Sequence, residues 1–196
     1  LRRPKVQTVE SLGGGRFALA SGKGVELIRI DDRRVTSVTD LHLPITNASE
    51  RTIPCMYFDR KNLWIASKFH GLFRYDMVSK SWTNYTEKNS NLLSNNVRKI
   101  IHDNKGRLLI GTLKGLSIMH RTGSFDNFRH NALTPYSLSQ NSIYDIFIDE
   151  QQIVWIGTYF GGINALYPNF IQLQHYSTRS SSTQRLNSDI VASFTQ

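Results

Sequence analysis

The sequence has very little cysteine, and it has no apolar run long enough to cross a membrane. A single cysteine, Cys55, excludes an internal disulfide and any zinc site built from several cysteines. A membrane-spanning helix needs about 18 consecutive apolar residues, and no window approaches that length. Residues 1–20 also lack the basic region, apolar stretch and small-residue cleavage site of a signal peptide. What is present, 39% hydrophobic and 20% charged residues, indicates a globular domain.

Positive charge is in excess, but it is not concentrated anywhere. The formal net charge is +9 and the sequence pI is about 9.8. Lysine and arginine are scattered near predicted turns, and there is no basic run of five or more and no RNA-binding signature. We therefore expect a solvated basic surface that binds no nucleic acid. A preference for acidic ligands, such as uronic acids or sulfated sugars, is the alternative reading of this charge.

Motifs that would carry catalysis, metal binding or phosphate binding are missing. The six histidines show no His-x-His or His-x-x-x-His spacing, and the glycines at 13–15 are not followed by Lys-Ser/Thr. Asp59, Asp103 and Asp149 recur at one position of an internal repeat, which favours a turn-capping role because a catalytic residue normally occurs once. We predict no catalytic residue, no metal and no cofactor.

That repeat is the strongest feature of the sequence. When Ala18, Trp64, Leu109 and Trp155 are aligned, the spacings are 46, 45 and 46 residues. Each copy has an apolar strand, a short turn and a glycine-led strand, as in Leu63–Ser67 followed by Gly71–Asp76. No stretch has sustained helical periodicity, and a period of about 45 residues is typical of four-stranded propeller blades.

The sequence therefore predicts an all-β fold made of β-propeller blades, each a four-stranded antiparallel meander. About four blades and the first strand of another are expected, as part of a larger propeller. The predicted blades cover 6–40, 53–86, 97–130 and 143–176, and the next blade starts over 189–196. Second strands should be buried on both faces between neighbouring blades, and turn glycines should allow positive φ. The predicted structural core of the repeat consists of Trp64, Leu109, Trp155, Gly71, Gly115 and Gly162.

The repeat also resembles a known family. An Asn-x-Val/Ile strand, a turn, Leu-Trp-Ile-Gly-Thr and Gly-Leu are similar to the two-component regulator propeller repeat. The matching stretches are 95–116, 141–168 and 63–76, and 135–162 is an especially close match. Leu109 in place of tryptophan, the absence of a turn glycine at 150–152 and a divergent first 50 residues depart from the pattern.

The resemblance implies a role in signalling. In that family such repeats form the periplasmic sensor of hybrid two-component systems in Bacteroides-type bacteria, and many respond to oligosaccharides. The histidine kinase, receiver and DNA-binding parts of such proteins would lie outside these residues, so this chain is not expected to be an enzyme. The expected partners are an oligosaccharide, acidic ones included, the remaining propeller blades and a second copy of the parent protein, without nucleic acid or membrane contact by this region.

Blade topology predicts where a ligand would bind. Turns between second and third strands lie at the same edge as the connections between blades, and they carry aromatic and basic side chains suited to sugars. The predicted ligand-binding residues are Lys68, Phe69, His70, Lys114, Tyr159 and Phe160. Two alternatives remain open at this point: a propeller used only for protein–protein contact or dimerisation, and a propeller polysaccharide lyase or glycosidase.

Overall fold

The computed structural model describes residues 5–134, 136–168, 173–180 and 185–195. These residues form four four-stranded antiparallel sheets, in each of which the strands are neighbours in chain order. Sheet 1 contains β1 (Val6–Gly13), β2 (Arg16–Ser21), β3 (Gly24–Asp31) and β4 (Arg34–Asp40). Sheet 2 contains β5 (Met56–Phe58), β6 (Asn62–Ala66), β7 (Leu72–Asp76) and β8 (Ser81–Tyr85).

The other two sheets repeat this arrangement. Sheet 3 contains β9 (Val97–His102), β10 (Leu108–Thr112), β11 (Gly115–Met119) and β12 (Phe125–Phe128). Sheet 4 contains β13 (Ile143–Ile148), β14 (Val154–Thr158), β15 (Ile163–Leu166) and β16 (Leu173–Tyr176). Within the described ranges, helical structure is limited to the short 3-10 turn Ala48–Glu50, and no helix is long and apolar enough to cross a membrane. The predicted all-β propeller fold is confirmed.

Strand β10 shows how one sequence period builds the core. Its side chains alternate, so that Leu108 and Ile110 pack toward sheet 2 while Leu109 packs toward sheet 4. All three are buried, and each such side chain contributes roughly 1.5–3 kcal/mol to folding. The apolar second strands therefore join neighbouring sheets, as the sequence predicts, and first strands of successive sheets also contact each other.

Close approach between sheets explains the small residues that end the second strands. A Cβ on Gly111 would lie 2.8 Å from Cγ2 of Ile143 on the next sheet. A Cβ on Gly157 would lie 2.6 Å from Cγ1 of Val191. Neither glycine is needed for positive φ, so the requirement is for space.

In sheets 2, 3 and 4 the turn before the third strand requires glycine for two reasons. Gly71 has a φ of 78°, and a Cβ there would overlap the carbonyl oxygen of Tyr85 in the neighbouring strand. Gly115 and Gly162 also have positive φ and meet the carbonyl oxygens of Phe128 and Tyr176 in the same way. The fourth strand thus passes directly over this turn in sheets 2, 3 and 4.

The recurring aspartates hold the turns between first and second strands. Asp59 Oδ1 accepts from the backbone N–H groups of Lys61 and Asn62, and Asp103 and Asp149 accept backbone N–H groups in their own turns. The predicted turn-capping role is confirmed.

Two of the three aspartates also bind a tryptophan of the second strand. The Trp64 indole N–H donates to Asp59 Oδ2 at 2.8 Å, and the Trp155 indole N–H donates to Asp149 Oδ2 at 2.8 Å. Trp64 is buried, whereas Trp155 is only partly buried because it faces away from sheet 3.

The predicted first strand of a further blade at 189–196 does not form over the part of this range that is described, 189–195. The backbone nevertheless enters sheet 4 correctly, because Val191 N–H donates to Thr158 O and Asp189 O accepts from Gly162 N–H. The same two bonds join sheet 2 to the start of β9, from Val97 to Ser67 and from Gly71 to Asn95. A strand needs ladder bonds along its length, and none of the described residues supplies a second strand here.

The outer face of sheet 1 is apolar and exposed. Val9, Val35 and Val38 have exposed fractions of 52%, 58% and 58%. Strand pairing places Phe17 and Ile28 on the same face of sheet 1 as Val38. Ala18 and Leu27 lie on the other face, which packs against sheet 2.

Candidate functional site

The first strands of sheets 3 and 4 carry a β-bulge at the same position of the repeat. In sheet 3, Val97 pairs with Thr112 but Lys99 pairs with Gly111, which leaves Arg98 as the extra residue. In sheet 4 the same shift leaves Tyr144 unpaired between its neighbours. Bulges redirect a side chain and are common next to functional sites. Here they bring Arg98 and Tyr144 to the edge where second strands turn into third strands.

Three aromatic rings form a cluster at that edge, which we call the aromatic cluster: Tyr144, Tyr159 and Phe160. The rings of Tyr144 and Tyr159 are stacked, with centroids 5.2 Å apart and planes 14° apart. The centroids of the Phe160 and Tyr159 rings are 4.0 Å apart, and their planes are inclined by 57°. Their exposed fractions are 37%, 37% and 59% in chain order. Partly exposed rings in different orientations can stack on apolar ring faces of a ligand.

Arg98 is held against the cluster. Its guanidinium carbon lies 4.6 Å from the centroid of the Tyr144 ring, which is a cation–π contact. Arg98 Nη1 donates to Ser142 Oγ at 2.8 Å and to the Ile143 carbonyl at 3.3 Å. These contacts fix the guanidinium beside the rings and leave it further N–H donors, because arginine carries five. The cluster therefore combines stacking surfaces with a positioned positive charge.

Tyr159 and Phe160 are the predicted ligand-binding residues that the structure brings together with Tyr144 and Arg98. Backbone bonds from Tyr159 N–H to Ser142 O and from Leu113 N–H to Asn96 O place these turns beside the segments that lead into first strands. This edge is the one that the sequence predicts for a ligand.

The other predicted residues lie on separate turns at the same edge. On the turn between β6 and β7, Lys68 and Phe69 are exposed, with Lys68 Nζ 5.4 Å from the Phe69 ring centroid. His70 Nε2 lies 2.6 Å from Glu50 Oε2, so its ring is already engaged.

Lys114 is also paired. Its ammonium donates to Glu87 Oε2 at 2.6 Å. This hydrogen bond, followed by the one from the backbone N–H of Asn95, holds the pKa of Glu87 below its usual range. Lys114 thus neutralises a carboxylate on the loop between sheets 2 and 3, which leaves Arg98 as the better placed cation for a ligand on the aromatic cluster.

Sequence reasoning missed Arg98 and Tyr144. Both residues lie in strands rather than turns. The simple alternation of side chains along a strand does not predict that they point toward the edge where the ligand is expected. One signal could have found them. In each of these sheets the first strand has one residue more than the stretch of second strand that it pairs with, which indicates a bulge.

The described residues give no sign of other chemistry at this edge. No group of three or more His, Cys, Asp or Glu side chains within them could hold a metal ion. Cys55 is half-buried, and burial raises the pKa of its thiol. The thiol therefore stays protonated, which is the poorly reactive form.

Comparison with known proteins gives the fold a context. Residues 137–160 match the sequence model of the family described as "two component regulator propeller". A search of curated proteins found no significant match. The chain is similar in structure to the extracellular domain assigned to the hybrid two component system BT4673 of B. thetaiotaomicron, at 16% identity and a TM-score of 0.57, over 96% of this chain and 30% of that one.

Two further solved structures show the range of proteins that share the fold. The extracellular domain assigned to the hybrid two component system BT3049 of B. thetaiotaomicron is 21% identical, with a TM-score of 0.56, over 89% of this chain and 28% of that one. Virginiamycin B lyase from Staphylococcus aureus is 14% identical, with a TM-score of 0.62, over 88% of this chain and 55% of that one. The chain spans about 30% of the length of the extracellular domains that it matches.

These findings confirm the resemblance seen in the sequence. The family match lies on β13, β14 and the loop before them, and it includes Tyr144, Tyr159 and Phe160 of the aromatic cluster. The chain thus carries a two-component regulator propeller repeat at residues 137–160, in a β-propeller fold shared with extracellular domains of Bacteroides hybrid two-component systems.

Proposed function

We propose that the chain is part of the extracytoplasmic sensor of a hybrid two-component signalling protein and that it binds an oligosaccharide at the aromatic cluster. The observation that carries this proposal is the set of exposed rings of Tyr144, Tyr159 and Phe160 beside the fixed guanidinium of Arg98. Sugar rings present C–H faces that stack on aromatic rings, and their hydroxyl and carboxylate oxygens accept hydrogen bonds from arginine. Location in the periplasm and control of a kinase elsewhere in the protein belong to the same proposal.

An acidic oligosaccharide fits this site best. Arg98 faces the rings, Lys68 is exposed on the turn between β6 and β7 at the same edge, and the formal net charge is +9. Uronic acids and sulfated sugars would pair with the guanidinium through charge-assisted hydrogen bonds, which are about twice as strong as neutral ones. Lys68, Phe69, His70 and Lys114 would then contact sugars that extend along the edge.

Further blades are proposed to complete the propeller. The outer face of sheet 1 exposes Val9, Val35 and Val38, and a contiguous apolar surface of this kind indicates a covered interface. Remaining blades of the same protein, packed as sheets 1 and 2 are packed, would cover it. We further propose that the parent protein is a homodimer and that this region acts in binding rather than in catalysis.

The binding proposal can be tested by calorimetric titration of the chain with neutral, uronic-acid and sulfated oligosaccharides. We expect Tyr144→Ala and Phe160→Ala each to weaken oligosaccharide binding about 10-fold or more. The comparison is with nucleic-acid bases, for which stacking on an aromatic side chain contributes roughly 1–3 kcal/mol. Arg98→Gln should weaken the binding of acidic sugars more than the binding of neutral sugars.

Val78→Ala is the matched control, because Val78 is an exposed apolar residue on a turn between third and fourth strands at the opposite edge. It should leave every affinity unchanged. Unaltered titrations for Tyr144→Ala, Phe160→Ala and Arg98→Gln would refute the site. Turnover of a bound oligosaccharide would instead support a lyase or glycosidase.

A further inference from the structure

A cavity of about 270 Å³ lies between sheets 3 and 4, at the edge opposite the aromatic cluster. It is next to the turn between β9 and β10, whereas the aromatic cluster lies at the turn between β14 and β15. Its apolar walls come from both sheets: Ile118, Phe128, Ile148, Val154 and Leu166. We propose that this cavity binds a small planar aromatic molecule that carries an N–H group, of about the size of indole.

The first argument is what lines the corresponding cavity between sheets 2 and 3, where the Trp64 indole forms part of the wall. There the Trp64 indole is surrounded by three side chains of its own sheet. Asp59 accepts its N–H, the Arg74 guanidinium lies 5.9 Å from the ring centroid, and the Tyr85 ring lies 6.1 Å away. Sheet 4 repeats part of this arrangement, because the Trp155 ring lies 6.1 Å from Tyr176 and binds Asp149.

In sheet 3 the tryptophan is replaced by Leu109; a carboxylate and an aromatic ring are kept around this position, whereas the arginine is replaced by isoleucine. Strand pairing makes Ile118 the equivalent of Arg74, since they pair with Leu109 and Trp64 respectively. By the same register Phe128 corresponds to Tyr85, and Asp103 corresponds to Asp59. Asp103, Ile118 and Phe128 all line the cavity. The cavity therefore has a carboxylate and an aromatic ring in the positions of two neighbours of the Trp64 indole, but the side chain at position 109 does not line it.

The second argument is size. A buried apolar cavity of about 150 Å³ stays dry and binds benzene. A volume of about 270 Å³ can therefore admit a bicyclic ring. The Leu109 side chain is fully buried in the core between the sheets and does not line the cavity.

The third argument is the polar group at the end of the cavity. Asp103 Oδ2 accepts from Arg107 Nε at 2.7 Å, in the place where Asp59 and Asp149 accept an indole N–H. A carboxylate oxygen has room for a second donor. The Asp103 side chain is only 5% exposed, so a ligand N–H would meet it out of bulk water. This selects a ring with an N–H over a plain hydrocarbon.

The test is to titrate the chain with indole and to measure binding by isothermal titration calorimetry and by ligand-observed NMR. We expect one equivalent to bind, and 1-methylindole to bind about 10-fold more weakly because it cannot donate to Asp103. Leu109→Trp, which restores the side chain of sheets 2 and 4, should abolish indole binding. Leu113→Trp places the same substitution on an exposed turn, and it should leave the affinity unchanged.

Far-ultraviolet circular dichroism will show whether Leu109→Trp folds. If it does not, Ile118→Phe narrows the cavity from the wall that sheet 3 provides and must weaken indole binding at least 10-fold. The proposal is overturned if indole does not bind up to its solubility, or if the folded cavity variant binds it as the unaltered chain does. Equal loss in Leu113→Trp would also overturn it, because that side chain is remote from the cavity.

Discussion

The indole N–H of Trp64 donates to Oδ2 of Asp59 across 2.8 Å, which ties the middle of a second strand to the turn that precedes it. The same carboxylate holds the turn through Oδ1, so one aspartate organises both the turn and the interface with the next sheet. Trp155 and Asp149 repeat the relationship two sheets further on. Two copies of the repeat thus share the same hydrogen-bonded pair, whose partners are five or six positions apart in the chain.

Replacing the indole with a smaller ring that has no N–H should therefore lower the free energy of unfolding by more than the smaller ring size alone would. We predict that Trp64→Phe lowers the free energy of unfolding by about 3 kcal/mol, since hydrogen bonds to charged groups contribute about 1.5–3 kcal/mol. Trp82→Phe is the matched control, because its N–H donates to the neutral Leu41 carbonyl at 3.1 Å and it should cost only about 1 kcal/mol. Urea unfolding followed by circular dichroism measures both, and equal losses would contradict the charged-acceptor argument.

The same pair should make stability depend on pH at the acid end. Burial would raise the pKa of Asp59, but the hydrogen bonds that its carboxylate accepts, from the backbone and side chain of Asn62, the Trp64 indole and the Lys61 backbone, together lower the pKa. An unfolded aspartate titrates near about 3.9, so the stabilisation is present above that pH and is lost as the pH falls through the lower, folded-state pKa.

We therefore predict that the stability advantage of the unaltered chain over Asp59→Asn is constant near neutral pH and shrinks below about pH 4. Urea midpoints measured across pH 2–7 test this. Trp64→Phe should show a weaker acid dependence, because one of the donors that lowers the pKa is removed. An advantage that grew on acidification would reverse the sign and rule out the mechanism.

The sequence predicted the fold well because a propeller blade is encoded locally. The period, the apolar second strands and the turn glycine at Gly71 all follow from neighbours within one copy of the repeat. The site was predicted only in part, because Arg98 and Tyr144 owe their positions to bulges that depend on register between strands. The start of a further blade over 189–195 stays a prediction, since none of the described residues supplies the neighbouring strand that a ladder there requires.

Gly71 offers a test of why the turn needs glycine. Both Gly71 and Gly123 have positive φ, at 78° and 87°, so alanine at either position pays a conformational cost of about 1–2 kcal/mol. Only at Gly71 would the added Cβ also overlap a backbone carbonyl, that of Tyr85, whereas Gly123 has open space around it. We predict a loss of about 1 kcal/mol for Gly123→Ala and of about 3 kcal/mol or more for Gly71→Ala. Similar thermal midpoints for the two variants would show that φ alone decides.

The pair of Lys99 and Asp145 provides the last prediction, because it joins the first strands of sheets 3 and 4. Lys99 Nζ lies 2.6 Å from Asp145 Oδ1, and the Asp145 side chain is only 8% exposed. The same carboxylate accepts the backbone N–H groups of Ile146 and Phe194, so it also holds the segment that follows sheet 4. Asp145→Ala leaves an ammonium and two N–H groups without their acceptor, and it should cost about 3 kcal/mol.

Lys99→Met should cost less than Asp145→Ala, because the two backbone donors still compensate the carboxylate. A double-mutant cycle should therefore give a coupling energy of about 1–3 kcal/mol. The exposed pair Arg29 and Asp31 is the control, with side chains 55% and 46% exposed and a separation of 2.9 Å, and solvent screening should make its coupling clearly smaller. If the two cycles gave the same coupling, burial would not be what strengthens the contact between sheets 3 and 4.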